Sequence, residues 1–184
     1  MERYNPRARA DQYGSRLHRE HSTIVANIVP WASIMLGSIL PLFVITAAIP
    51  WMPPLGYLTM IAWRIVRPGL LPMWAGFPLG LFDDLFSGQP LGSGILLFSL
   101  TLIAFEVIEA RFPWRSFAQD WFTTGLCIIV YILFAMIVSG AKITGTLLFV
   151  MVPQIVLAIL LFPLLARFIS HLDRFRLVRW RSVR

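Results

Sequence analysis

The stretch GLFDDLFSGQPLGSG, residues 80–94, places two adjacent aspartates, Asp83 and Asp84, inside one of the most apolar parts of the chain. Gly88 and Pro90 follow them, and these residue types end a helix and prevent its continuation. Carboxylates in an apolar helix need a polar environment or hydrogen-bond donors. The stretch therefore predicts a helix, a tight corner and a second helix, with both acids close to the corner.

Composition places this corner in a membrane. The chain has 184 residues, of which 58% are hydrophobic and 14% are charged, and its mean hydropathy is +0.74. Such a sequence cannot be enclosed in one soluble core. Sixteen basic residues stand against nine acidic ones, and most lie in the two tails or at the ends of apolar runs. This distribution favours contact with anionic lipid headgroups over contact with nucleic acid.

Six apolar segments predict six transmembrane helices in an all-α polytopic membrane protein. The second contains the shortest apolar run, because the 12 residues from Leu55 to Val66 reach only about 18 Å as a helix. The hydrocarbon core is about 30 Å thick, so a short helix, an extension of the preceding turn and a re-entrant piece remain open for it. The predicted segments are 24–49, 52–66, 69–87, 91–110, 117–139 and 143–170.

The distribution of basic residues favours six crossings with both termini in the cytoplasm. This topology places every basic residue except Lys142 on the cytoplasmic side, as the positive-inside rule requires. If the second segment did not cross, the arginines of the later loops and of the C-terminal tail would lie outside. Residues 1–23 and 171–184 are then basic cytoplasmic tails. We expect them to be attracted to anionic lipids, and docking of a cytoplasmic partner is the alternative.

The sequence offers no catalytic, cofactor-binding or metal-binding set. His18, His21 and His171 lie in the polar tails without a cysteine or an acidic cluster at ligand spacing. Cys127 lies in an apolar run without a histidine base inside the membrane. A glycine-rich phosphate loop is also missing from the sequence. We therefore predict that the protein is not an enzyme and needs no cofactor.

Two further acids lie toward the cytoplasmic side. Glu106 and Glu109 are close in sequence to Arg111 and, in the predicted topology, close to the arginine-bearing end of the second segment. Long charged side chains at such a position pair with each other or reach the headgroup layer. We expect ion pairing there, so Glu106 is predicted to make a polar contact.

Asp84 belongs to a stripe of small residues. Gly76, Gly80 and Asp84 recur every four residues, so they share one face of the third helix, and Ser87 flanks this face. Three roles are open for Asp84: accepting backbone amides of the corner around residues 88–92, contacting a partner helix, or relaying protons or ions. Asp83 is turned about 100° away, and we expect it to make a separate polar contact or to reach the headgroups.

The corner resembles a family motif. Residues 80–92 look like the G-x-x-x-D-L-x-S-G-x-P-L-G segment of the MreD rod shape-determining proteins, with Asp84 at the family's aspartate. The pair Arg67-Pro68 before this helix and the overall layout are similar too, whereas the long arginine-rich N-terminal tail departs from the family pattern. The residues proposed for the motif and for helix packing or partner contact are Gly76, Gly80, Asp84, Ser87, Gly88, Pro90, Leu91 and Gly92.

The resemblance implies a function and a fold. It implies a non-enzymatic integral scaffold of the elongation machinery in the bacterial inner (cytoplasmic) membrane. Such a scaffold pairs with MreC and is linked to the cytoskeletal MreB and to RodA with its transpeptidase. It also implies a six-helix bundle similar to the substrate-binding subunits of energy-coupling-factor vitamin importers. A small-molecule binding or transport subunit of an importer is therefore the alternative, and self-association is left open.

Overall fold

A computed structural model of the protein describes residues 23–44, 52–112, 116–140 and 144–176. The predicted N-terminal tail up to residue 22 and residues 177–184 of the C-terminal tail lie outside these ranges. Six α-helices lie in the described residues, and no strand occurs among them. They are α1 Thr23–Val44, α2 Leu55–Val66, α3 Gly76–Ser87, α4 Ser93–Arg111, α5 Phe117–Val138 and α6 Gly145–Arg176.

The short helix α2 lies at the centre of the bundle. Ten consecutive residues, from Leu55 to Arg64, are buried, because α2 packs against α1, α4, α5 and α6. A helix that is apolar on every side is buried, either in a protein core or in a bilayer, and here the neighbouring helices bury it. Tyr57 and Trp63 are among the largest fully buried side chains of the core. The second segment is therefore a helix, and the turn extension considered for it is wrong.

The third helix begins later than its apolar run. The sequence predicted a segment from residue 69, whereas α3 starts at Gly76 after a 3₁₀ turn, Met73–Ala75. Gly69 has a left-handed backbone with φ 79°, and Pro72 is extended and caps the 3₁₀ turn. These two residues interrupt the helix, because helix propagation requires right-handed backbone angles and a supply of amide donors.

The remaining helices follow the predicted segments closely. A capping box opens α5, since the Ser116 hydroxyl accepts the Gln119 backbone amide and the Gln119 side chain accepts the Ser116 backbone amide. The first residues of α4, at Ser93, and of α6, at Gly145, fall two residues after the predicted starts. The last helix runs to Arg176, so it includes the first six residues of the predicted tail.

Length and hydropathy select three helices that can cross a bilayer among the described residues. These are Ser93–Arg111, Phe117–Val138 and the part of α6 from Phe149 to Phe175. Asn27–Phe43 and Leu55–Val66 are shorter apolar helices. The protein is thus an all-helical membrane protein. Near the ends of α2 and α6, Arg67 and Asp173 form an ion pair of 3.6 Å, which ties the central helix to the last one.

Candidate functional site at the α3–α4 corner

Asp84 caps a helix to which it does not belong. It lies in the last turn of α3 and is 3% exposed. Its Oδ2 accepts the amide of Gly92 at 2.8 Å, and its Oδ1 accepts the amide of Gly94 at 2.6 Å. The amide of Ile95 contributes a longer hydrogen bond of 3.4 Å to Oδ2. The carboxylate therefore binds three backbone donors at the start of α4.

These donors are the amides that a helix N-terminus leaves without intrahelical partners. The N-cap residue of α4, Gly92, supplies no side chain for them, and the amide of Ser93 bonds to the Pro90 carbonyl at 3.2 Å instead. A negative charge at this position is also favoured by the helix dipole. Asp84 thus stabilises the junction through hydrogen bonds and charge together, and the predicted bond to Gly92 is present.

The corner requires two left-handed residues. Gly88 ends α3 with φ 70°, as the sequence predicted, and Gly92 precedes α4 with φ 102°. Residues with a side chain rarely adopt such angles. The other motif positions, Ser87, Pro90 and Leu91, lie at the surface, and Leu91 is 72% exposed. The corner is thus a tight connection whose tip is accessible.

The small-residue stripe brings the backbones of α3 and α4 into contact. A Cβ atom at Gly80 would lie 2.6 Å from the Ile95 Cα, and one at Gly76 would lie 2.6 Å from the Ser99 Cα. Backbone atoms cannot yield to such an approach as a flexible side chain can. The stripe therefore packs against α4 of the same chain, which is the helix-packing alternative of the prediction.

Asp83 is buried and makes the separate polar contact that was one of the two alternatives expected for it, rather than reaching the headgroups. It is 5% exposed, and its Oδ2 accepts the hydroxyl of Tyr131 on α5 at 3.1 Å. A Cβ atom at Gly56 would contact both Ser38 Oγ and Asp83 Oδ1, so α1, α2 and α3 meet beside this carboxylate. Asp83 faces the bundle interior because one helical step rotates it away from the face that Asp84 occupies.

A cavity of about 360 Å³ opens beside Asp83. It lies at the end of the bundle where α2 begins and where α3 and α5 end. Its polar lining comes from Ser38, Asp83, Gln89, Tyr131 and Gln154, and the rest of the wall is mainly apolar. The Tyr131 hydroxyl also accepts a hydrogen bond of 3.3 Å from the side-chain Nε2 of Gln89. Its ring stacks on that of Tyr57, with the ring centroids 4.3 Å apart.

An ion cluster occupies the other end of α2. Arg64, whose side chain is 3% exposed, donates from Nη2 to Glu106 and, at 2.7 Å, to Glu109. Glu106 is 47% exposed and Glu109 is 24% exposed, so the cation is buried and the two anions reach the surface. The ion pairing predicted for the glutamates is confirmed, and their partner is Arg64 of the central helix.

Sequence reasoning missed three of the residues around Asp83. Ser38, Tyr131 and Gln154 come from α1, α5 and α6, and they approach one another only when those helices pack. Polar residues within apolar segments were the available signal, but such residues often bond to their own helix. Within the described ranges, no group of three or more His, Cys, Asp or Glu side chains is placed to hold a metal ion.

The comparisons with known proteins give one finding. A family model described as rod shape-determining protein MreD matches residues 22–172. No curated protein and no solved structure matches the chain. The matched range includes both acids of the corner and the whole set of described helices except the last four residues of α6.

Proposed function

This chain belongs to the rod shape-determining protein MreD family, and we propose that it acts as a non-enzymatic scaffold of the bacterial elongation machinery. The family consists of shape-determining structural membrane proteins and is not a known enzyme family. The chain is therefore a membrane protein of the rod-shape machinery. The proposal adds a direct partner, MreC, and a larger complex with MreB, RodA and the transpeptidase.

One observation carries the proposal. The family's aspartate, Asp84, binds the amides of Gly92, Gly94 and Ile95 and so fixes the angle between α3 and α4. A carboxylate saturated in this way holds a shape and is not placed to exchange protons with a substrate. A motif that serves shape suits a protein whose activity is to present surfaces to other proteins.

The surface for MreC must avoid the face that α3 already buries. Long helices offer apolar faces elsewhere: Leu100 and Val107 of α4 are 55% and 62% exposed, and Phe122 and Leu126 of α5 are 77% and 54% exposed. In a bilayer such faces contact lipid or partner helices, and association depends on their packing. We propose that MreC contacts these faces or the accessible tip of the corner.

The proposed topology has six crossings in the inner membrane with both termini in the cytoplasm. The central position of α2 supports its crossing, because α2 packs against four of the other helices. The arginine-rich tails are proposed to bind anionic lipids. The arrangement proposed for the six helices is similar to that of the substrate-binding subunits of energy-coupling-factor importers.

Co-purification tests the scaffold. The full-length tagged protein is extracted from bacterial membranes, and the recovery of MreC per molecule is measured for the unsubstituted protein, for Asp84→Ala and for Gly125→Ala as a control. Because Gly125 lines the same groove as Phe122 and Leu126, Leu164→Ala on the exposed face of α6 is added as a control outside the proposed MreC surface. We expect recovery or abundance to fall in Asp84→Ala and to remain in Leu164→Ala, with a C-terminal reporter active on the cytoplasmic side in every variant. Normal abundance together with normal MreC recovery in Asp84→Ala would contradict the proposal.

The cavity favours a second candidate, the importer subunit. Its volume of about 360 Å³ and its polar lining suit a small ligand. The same co-purification distinguishes the candidates, because an importer subunit would recover a transmembrane coupling subunit and ATPases. Recovery of elongation proteins would instead support the scaffold.

A further inference from the structure

We propose that the cavity beside Asp83 binds the ammonium group of a small organic amine. This inference is independent of the partners proposed above, because it rests on the lining of one cavity and not on any interface. It adds a ligand site of stated chemistry to a protein otherwise described as a scaffold. Asp83 is the residue that would pair with the positive charge.

The described residues of the lining provide one negative charge and no positive charge. Asp83 is the one charged side chain among the described residues around the cavity, which are contributed by α1, α2, α3, α5, α6 and their connections. The volume of about 360 Å³ corresponds to roughly twelve water molecules at about 30 Å³ each. The space is therefore sufficient for an organic molecule of several carbon atoms.

Asp83 has fewer hydrogen-bond donors than its neighbour in sequence. Asp84 is bound by three backbone amides, whereas Asp83, within the described residues, has the Tyr131 hydroxyl at 3.1 Å and the neighbouring Ser38 hydroxyl. Both carboxylates are almost fully buried. A buried carboxylate is costly unless a cation or several donors compensate it. A bound cation would stabilise the buried Asp83 carboxylate, as the three backbone amides stabilise the carboxylate of Asp84.

A second polar group of the cavity lies next to Asp83. The Ser38 side chain is 4% exposed, and its hydroxyl interacts with the Asp83 carboxylate without a well-formed hydrogen bond in the described part of the chain. Ser38 lines the cavity and lies next to Asp83 around Gly56. An ammonium group has three donors and no acceptor, so it can bond to the Asp83 carboxylate and the Ser38 hydroxyl at once.

The rest of the wall suits the other parts of an amine. Tyr131 and Phe86 provide aromatic rings, which attract cations through their faces. Pro41, Met136 and Met151 provide apolar surface for a carbon chain. The ammonium group has two possible sources, a soluble amine or the ethanolamine headgroup of a lipid, and the chemistry at Asp83 is the same for both.

Thermal stabilisation of the purified full-length protein tests the site. The probe is n-butylamine in phosphate buffer, which contains no competing amine, and 1-butanol is the neutral analogue. Lys142, the one lysine of the sequence, lies outside the described residues, three positions after Ser139, and carries an ammonium group of its own. The parent protein and every variant therefore carry Lys142→Gln, so that this group does not compete with the probe. The variants are Asp83→Asn, which removes the charge, and Ala135→Phe, which fills the cavity. Glu109→Gln, at the opposite end of the bundle, is the control for loss of a carboxylate.

We expect n-butylamine to raise the unfolding temperature saturably in the parent protein and in Glu109→Gln. The apparent dissociation constant should increase at least about tenfold in Asp83→Asn, the loss for one charge-assisted hydrogen bond. Ala135→Phe should lose the response although it keeps the charge, and 1-butanol should give no saturable response. An equal response in Asp83→Asn, or no saturable response in the parent protein, overturns the proposal.

Nanodiscs distinguish the two sources. The titration is repeated in phosphatidylglycerol alone and in phosphatidylglycerol mixed with phosphatidylethanolamine. If the headgroup is the natural source, the ethanolamine lipid removes the response of the parent protein to n-butylamine. If a soluble amine is the source, the response is the same in both membranes. Absence of the response from both membranes overturns the proposal.

Discussion

The carboxylate of Asp84 lies 2.6 Å from the backbone nitrogen of Gly94, ten residues further along the chain and on the next helix. This bond closes the corner, because it ties the last turn of α3 to the first turn of α4. The same two helices meet backbone to backbone at Gly80. The corner is thus held by one charge and one close approach, and each can be tested separately.

Replacing Asp84 by alanine should destabilise the protein by about 2–4 kcal/mol, because buried amides of Gly92 and Gly94 lose their acceptor. Asp84→Asn keeps one acceptor oxygen, so its stability should lie between that of the unsubstituted protein and that of Asp84→Ala. The measurement is the midpoint of unfolding of the purified protein in an SDS titration. A change in Asp84→Ala as small as that of a surface substitution would show that the capping contributes little.

Gly80→Ala should destabilise the protein by about 1–3 kcal/mol, the range typical of overpacking. The added Cβ would lie 2.6 Å from the Ile95 Cα, so α3 and α4 must separate. Gly125→Ala is the matched control, since its Cβ would lie 3.7 Å from the nearest atom, Ile159 Cδ1. We expect the control to be neutral or slightly stabilised, because alanine favours a helix. Similar losses for both variants would contradict the close packing of α3 on α4.

The ion cluster of α2 should respond asymmetrically to substitution. Removing both glutamates, as Glu106→Gln with Glu109→Gln, leaves the buried Arg64 without a compensating anion. Arg64→Met instead leaves two anions that reach the surface, where water can stabilise them. We expect the double glutamine variant to lose more stability than Arg64→Met, as measured by the unfolding midpoint. The reverse order would show that the arginine is not the costly member of the cluster.

Tyr57→Phe should cost about 1–2 kcal/mol, because the hydroxyl bonds to Thr101 and also donates to the Cys127 carbonyl at 3.4 Å. The Tyr57 hydroxyl is 2.8 Å from the hydroxyl of Thr101 on α4, and the two residues are buried. Adding Thr101→Val removes the hydroxyl left without this bond, so the double variant should recover part of the loss. A double-mutant cycle of unfolding midpoints measures the coupling, and strictly additive losses would contradict a direct bond.

Local chemistry made several features predictable. The left-handed end of α3 at Gly88, the capping box at Ser116 and the hydrogen bond from Gly92 to Asp84 each depend on residues close together in sequence. The pairing of Glu106 was predictable too, since charged groups inside an apolar segment must find a partner. The start of α3 was misplaced because apolar composition continues through the turn that Gly69 and Pro72 impose.

The sequence by itself determined that this is a helical membrane protein, where several of its helices begin or end, and which of the two aspartates occupies the family motif. Only the tertiary structure decided what each helix face meets. It buried the Gly80 face against α4, placed Asp83 beside Tyr131 and an open cavity, and put Arg64 inside the bundle. Helical periodicity fixes which residues share a face, whereas the rotation of each helix depends on the packing of all the others.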